Sequence, residues 1–455
     1  MTGRMQIGIG IFFSLLIGCS SPQSPGQAES RIADIRDSMR LFLEEKMVSK
    51  WYPAAIDSAH GGYHASFDYQ WRADSVQTKF IVTQPRHLWT LSKIALRYPD
   101  EPQFRAYADH GFQFLRDVMY DHQYGGFFTH LTREGDIHGS DGAGKLIYGQ
   151  AFVLFGLAAY ADMSGAREAL QMAQDQFRWI EAHAFDTVYG GYYQFLSKDG
   201  LPKPIERRTN ASNLDWLSYK DQNTSIHLLE AYAELYKIWP DSLLKERLQR
   251  LVSLIRDTVT TKPGYMRLFF TRDWQPISFE DSVRKYHAVD SLTSYAIMDH
   301  LSYGHDIEAA YLMLDAEDAL GIKDPKTLQV AQQLVDHSIA HGIDREFGGL
   351  IERGYYFGDT VVVISGTKTW WAQAEALNSL SLFSKLDVAG AERYADEFEG
   401  LWDYMKAQFL DWDQGGWYAQ GLDQQPEFKT APKGHNWKTP YHTTRALLLC
   451  LDRLE

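Results

Sequence analysis

Apolar residues return every three or four positions along most of this chain. Ile32, Ile35, Met39, Phe42 and Leu43 fall on one face and predict a first helix over about 32–47. The same spacing predicts helices at 88–96, 147–160, 224–238, 243–255, 307–314, 370–382 and 443–451. Several are apolar nearly all round, as in Ala151-Phe152-Val153-Leu154-Phe155. Such helices suit an inner ring covered by neighbours on most sides. Strand-like runs are short, and Val361 to Ile364 reads as part of a loop hairpin. The long, charged and aromatic stretch 267–289 is a candidate lid or pocket wall.

A turn template punctuates these helices. Asp-x-x-x-Gly-Gly followed by a large residue occurs at 57–63, 121–127, 186–192, 344–350 and 411–417. A degenerate sixth, Pro263-Gly264-Tyr265, falls in the widest gap. The spacing of roughly 65 to 85 residues accommodates two helices and their loops. Paired glycines allow positive φ and close backbone approach, as a tight turn between helices needs. Five matches to one template make unrelated turns the weaker reading. The expectation is an all-α fold, an (α/α)6 barrel of six helical hairpins over residues 31–455, with one set of loops around a central pocket.

The first residues read as an export signal. Arg4 gives a positive start, 7–17 is apolar, and Leu16-Ile17-Gly18-Cys19 resembles a bacterial lipobox. Residues 1–18 would be removed and Cys19 would carry lipid. Residues 19–30, rich in Ser, Pro, Gln and Gly, would form a flexible tether. No later run is apolar enough to span a bilayer, so membrane attachment is expected through the lipid alone. Cys450 is the only other cysteine and sits in an apolar run, which suits a buried inert thiol. A net charge of −14 argues against a nucleic-acid partner. The 13 Trp and 26 Tyr suit a pocket for sugars, whose C–H faces pack on rings, although many must be core wedges.

Polar groups cluster at the helix starts. Asn223 and His227 are four apart and share a face; His305 and Glu308 are three apart. Arg86-His87-Leu88-Trp89, Tyr148-Gly149-Gln150, Lys368 to Glu375 and Trp437-Lys438-Thr439-Pro440-Tyr441-His442 repeat the theme. Singly, each histidine reads as a satisfied helix-end residue. Three of them near helix starts of different repeats would converge on one mouth. No metal-ligand spacing, phosphate loop or nucleophile elbow is present in the sequence, so neither metal nor cofactor is expected. Histidine, arginine, carboxylate and indole together suit proton transfer beside a carbonyl.

These strings resemble the N-acylglucosamine 2-epimerase family, in particular its cellobiose 2-epimerase branch, from Arg86 to Arg445. The most specific are Ser302 to Glu308, the Trp-Trp-x-Gln-Ala-Glu of Trp370 to Glu375, and Trp437 to His442. The resemblance implies an (α/α)6 barrel that interconverts sugars at C2 without a metal. It implies His305 and His442 as the acid/base pair, His227 and Asp215 as assistants in ring opening, and Arg86 as the holder of enediolate oxygens. Trp371 and Trp437 would pack on the sugar, Glu308 would orient His305 or a hydroxyl, and Tyr148 and Asn223 would complete the pocket. Ser225 stands where the branch usually has histidine, and Tyr311 where tryptophan is common. Competing expectations are an aldose–ketose isomerase on the same residues, a glycoside hydrolase or lyase recruiting Glu308, Glu375 and Asp215, and a non-catalytic sugar-capturing lipoprotein.

Overall fold

The computed structural model describes residues 25–209, 212–278 and 299–455; for 25, 27, 28, 205–209 and 212–217 it describes the backbone alone. Cys19, the export signal and positions 279–289 of the expected lid lie outside the described residues. Among the described residues, twelve long helices alternate between two layers. The outer layer comprises α1 (Pro25–Leu41, prolonged by wider turns to Trp51), α3 (Pro102–Phe114), α5 (Arg167–His183), α7 (Ser242–Leu254), α9 (Pro325–Gly342) and α11 (Ala391–Gln408). The inner layer comprises α2 (Thr83–Arg97), α4 (Ile147–Ser164), α6 (Gln222–Ile238), α8 (Tyr303–Leu320), α10 (Trp370–Phe383) and α12 (Tyr441–Leu454). Each inner helix packs on the next, and α12 closes on α2. This is the expected (α/α)6 barrel.

The inner helices are apolar on nearly every face because neighbours cover them; α4 is buried from Ile147 to Ala161. Four outer helices, α3, α5, α9 and α11, are absent from those that apolar spacing predicts; their exposed positions are mostly polar or small. The expected tether also ends early. Pro25–Ser30 already form the first turns of α1, since proline fits a first helical turn and Ala, Glu and Arg favour propagation.

Every Asp-x-x-x-Gly-Gly segment joins an outer helix to the loop before the next inner one. Both glycines of all five pairs have positive φ, from 64° to 84°. In the first copy the Asp57 N–H donates to Gly62 O, and Asp57 Oδ1 accepts from Ala59 N–H and His60 N–H. A buried lysine then neutralises each aspartate: Lys79 to Asp57 at 2.9 Å, Lys145 to Asp121 at 2.7 Å, Lys220 to Asp186 at 3.1 Å, Lys368 to Asp344 at 2.8 Å and Lys433 to Asp411 at 2.6 Å. The degenerate copy keeps the turn, with Gly264 at φ 96° and Thr261 in the aspartate's place.

A glutamine near the start of three inner helices, α2, α4 and α10, clasps the residue after the glycines. Gln84 holds Tyr63, Gln150 holds Phe127 and Gln373 holds Leu350, each accepting from its N–H and donating to its C=O. Asp306 occupies that place in α8 and accepts from Met266 N–H at 2.8 Å. Burial pushes its carboxyl well above the ordinary range. Short hairpins decorate this end. One is the pair Arg353–Phe357 and Thr360–Ser365, as the Val361–Ile364 run implied. No described helix is long and apolar enough to cross a membrane.

Candidate active site

All six inner helices begin at the same end of the barrel, and each brings a polar or aromatic side chain there. Arg86 comes from α2, Tyr148 from α4, Asn223 and His227 from α6, His305 from α8, Trp371 from α10 and His442 from α12. Several of these helices begin earlier than apolar spacing predicts, because their first turn is polar and faces the mouth. Six converging helix N-termini carry positive partial charge, which favours an anionic group between them.

Each of the three histidines is fixed through Nδ1. That of His442 lies 2.6 Å from Glu375 Oε1, that of His227 lies 2.9 Å from Glu230 Oε2, and that of His305 lies 2.7 Å from Ser302 Oγ. Nε2 is therefore the nitrogen left for a ligand. Trp371 stands between two of them, with ring centroids 4.7 Å from His305 and 6.0 Å from His442. Gly304 makes this possible, because a Cβ there would meet Trp371 at 2.6 Å. Tyr148 packs edge-on against His227 at 5.0 Å and accepts a hydrogen bond from Arg86 Nη2 at 2.7 Å. Arg86 Nη1 donates to Trp437 O, while its Nε, though buried, has no partner among the described residues. Trp437 is 49% exposed and leans on Phe80.

One helical turn deeper lies a second layer. Arg445 pairs with Glu230, with Glu308 at 2.7 Å and with Glu375 at 2.7 Å, and Tyr441 also donates to Glu230. The i, i+3 and i, i+4 spacings place these groups beneath the first: His227 over Glu230, His305 over Glu308, Trp371 over Glu375 and His442 over Arg445. Three carboxylates thus share one guanidinium. Burial opposes ionisation of Glu230, but the Arg445 charge and its hydrogen bonds hold it at about 2. Burial lifts Glu308 and Glu375 to about 7. Burial drives His442 well below the usual imidazole range, helped by Arg86 and Arg445, and brings His305 down to about 3. Both imidazoles are therefore neutral near pH 7.

The sequence-derived set thus meets at one mouth, with two changes. Glu308 does not orient His305; Ser302 does, because Glu308 points down to Arg445. The Asp215 side chain lies outside the described residues. Asn223 sits half-buried one turn before His227, its Oδ1 without a partner among the described residues. Ser225 donates to Asp221 O, and Tyr311 lies under the Arg445 guanidinium, 5.2 Å from its ring. Sequence reading gave no role to Arg445, Glu230 or Tyr441, and considered Glu375 only as a hydrolytic acid. The i+3 and i+4 offsets from the histidines and Trp371 were the available signal. Ligand atoms of Glu308, Glu375 and His442 lie within 4.8 Å of one another, a spacing a metal ion could use, but Arg445 already supplies a cation to both carboxylates.

Residues 61–446 match the family model described as N-acylglucosamine 2-epimerase (GlcNAc 2-epimerase). The chain belongs to that family. Among its relatives is the cellobiose 2-epimerase of Bacteroides fragilis, 27% identical over 425 residues, covering 92% of this chain and 98% of that one. The D-mannose isomerase of Thermobifida fusca is 26% identical over 412 residues, covering 87% of this chain and 91% of its own length. The structure of cellobiose 2-epimerase from Bacillus thermoamylovorans superposes with a TM-score of 0.79 at 26% identity, over 92% of this chain and all of the other. Family membership accords with the barrel fold.

Proposed function

We propose that this chain is a sugar 2-epimerase of the cellobiose 2-epimerase type, interconverting gluco and manno configuration at C2 of a reducing-end aldose. The observation that carries this reading is the set of imidazoles, each oriented through Nδ1, around one mouth with Arg86. Once the ring is open, a neutral imidazole takes the C2 proton. At His442 the proton charge is met by Glu375, hydrogen-bonded behind it. The enediolate then forms among the Arg86 N–H groups and the six helix N-termini, whose positive ends favour it before it exists. His305, having taken up a proton from solvent at Nε2, returns it to C2 from the other side and inverts the centre, and His442 releases its proton to solvent. His227, backed by Glu230, assists ring opening, with Asp215 its sequence-implied helper. Trp371 and Trp437 offer apolar faces to the sugar, with Tyr148 and Asn223 completing the pocket. Glu308 and Glu375 both lean on Arg445 below the mouth, an arrangement that does not flank a glycosidic bond as hydrolysis requires.

Incubation with cellobiose, mannobiose, mannose and glucose in deuterated water tests the reaction. Deuterium at C2 of an epimer is the expected NMR result, and absence of label from every sugar would sink the reading. Similarity to a D-mannose isomerase supports a second reading, aldose–ketose isomerisation on the same residues, which places label at C1 of a ketose. We further propose export and anchoring through a lipidated Cys19. Labelled palmitate should enter the expressed protein and be lost in Cys19→Ser; equal labelling of both would remove that proposal.

A further inference from the structure

The opposite end of the barrel holds a cavity of about 980 Å³, ringed by the last turns of the inner helices. Glu230 and Arg445 line it from above, so the buried ionic layer separates it from the histidines. Its walls are apolar and aromatic. Trp89 and Phe155 stack in parallel with centroids 5.2 Å apart, and Leu312, Leu382 and Leu448 continue the surface. The lining carries more carboxylates than cations, and inner-helix C-termini add negative partial charge.

One carboxylate stands out. Glu317, in the last turn of α8, lines the cavity and is only 4% exposed. Its Oε2 accepts the Asp324 N–H at 3.0 Å, and it pairs with no lysine or arginine among the described residues. The neighbouring acids differ. Glu234 pairs with Lys93 and Lys237, Asp315 with Lys237, and Asp452 with Arg97. A buried carboxylate without a counter-ion is costly unless a cation reaches it.

We propose that this cavity is a second ligand site, for a compact organic ammonium with an apolar or aromatic body. Its charge pairs with Glu317, and its body packs on the Trp89–Phe155 wall, where an aromatic face also attracts cations. The cavity volume falls in the range of small-molecule sites. The ligand would sit one ionic layer below His227 and His442 and touch no group assigned to the sugar.

Titration calorimetry on the purified full-length protein tests this with phenethylammonium, 3-phenylpropionate and 2-phenylethanol. Saturable binding of the ammonium is expected, at least about tenfold tighter than the other two, a difference of ~1.4 kcal/mol. Glu317→Gln should weaken it at least about tenfold, and Leu448→Trp, which fills the wall, should abolish it, with circular dichroism melts showing both variants folded. Absence of saturable binding, equal affinity for the carboxylate, unchanged affinity in Glu317→Gln, or displacement by cellobiose (placing the amine at the sugar mouth) would each overturn the site. None of these outcomes depends on whether sugars are epimerised.

Discussion

Two sets of buried carboxylates differ in how their charge is balanced. In the turns, every aspartate has a lysine beside it and backbone N–H groups on its second oxygen, Asp57 and Asp186 have an arginine as well, and only Lys368 is shared, with Asp423. Those charges are matched, so Asp57 and Asp186 are held well below the usual carboxylate range: burial opposes this, and Arg133 and Lys79, or Arg272 and Lys220, overcome it. In the barrel's centre, three glutamates share Arg445, and two of them rise to about 7. Matched charges make a permanent brace; the mismatched set can take up or release a proton near neutral pH. That is the property acid/base chemistry needs: burial raises the two central carboxyls and one shared guanidinium does not offset it, whereas the cations beside the turn aspartates overcome burial there.

The largest effect should follow removal of an imidazole above the mismatched set. His442→Ala and His305→Ala are each expected to lower kcat by about 10²–10⁴-fold with little change in melting temperature, measured by deuterium exchange at C2 and by thermal denaturation. Asp57→Asn attacks the matched set instead. It strands Lys79 beside Arg133 and should cost ~3–5 kcal/mol in urea denaturation, leaving kcat per folded molecule near wild type.

Stability against pH should separate the two sets by sign. Asp57 and Asp186 are lowered, so their contribution is present above the ordinary aspartate value and lost as pH falls through the folded one. Glu308 and Glu375 are raised, so theirs is present below the ordinary glutamate value and lost as pH rises through about 7. Relative to wild type, Glu375→Gln should retain more stability above pH 7, while Asp57→Asn should flatten the acid side. If both variants track the wild-type curve in parallel, the two sets are not distinct.

Gly304→Ala probes the space above the mismatched set. The added Cβ would meet Trp371 at 2.6 Å and displace the indole between His305 and His442. A roughly tenfold loss in kcat/KM with ~1–3 kcal/mol of destabilisation is expected. Trp437→Ala, at the exposed rim, should be mildest: a few-fold rise in KM with kcat preserved, as expected for a contact made equally to substrate and transition state.

Much of the scaffold was legible because its devices are local. A Gly-Gly pair at positive φ and an aspartate four residues before it announce the turn without any knowledge of the fold. The lysine partners were less visible, at 22 and 24 residues downstream of Asp57 and Asp121, since a lone charge does not reveal what it faces. Arg445, Glu230 and Tyr441 are the clearest omissions. A spacing of three or four residues says that two side chains share a helix face, not that this face lines the barrel axis.

The sequence alone determined six hairpins, their turns, and the histidines that open three inner helices, because helical period, glycine torsion and polar interruptions are properties of short segments. Only the closed ring decided that three glutamates meet one arginine, that Ser302 rather than Glu308 holds His305, and that Glu317 is left without a cation. Those facts depend on distances between helices remote in the chain, which ring closure fixes and local spacing does not encode.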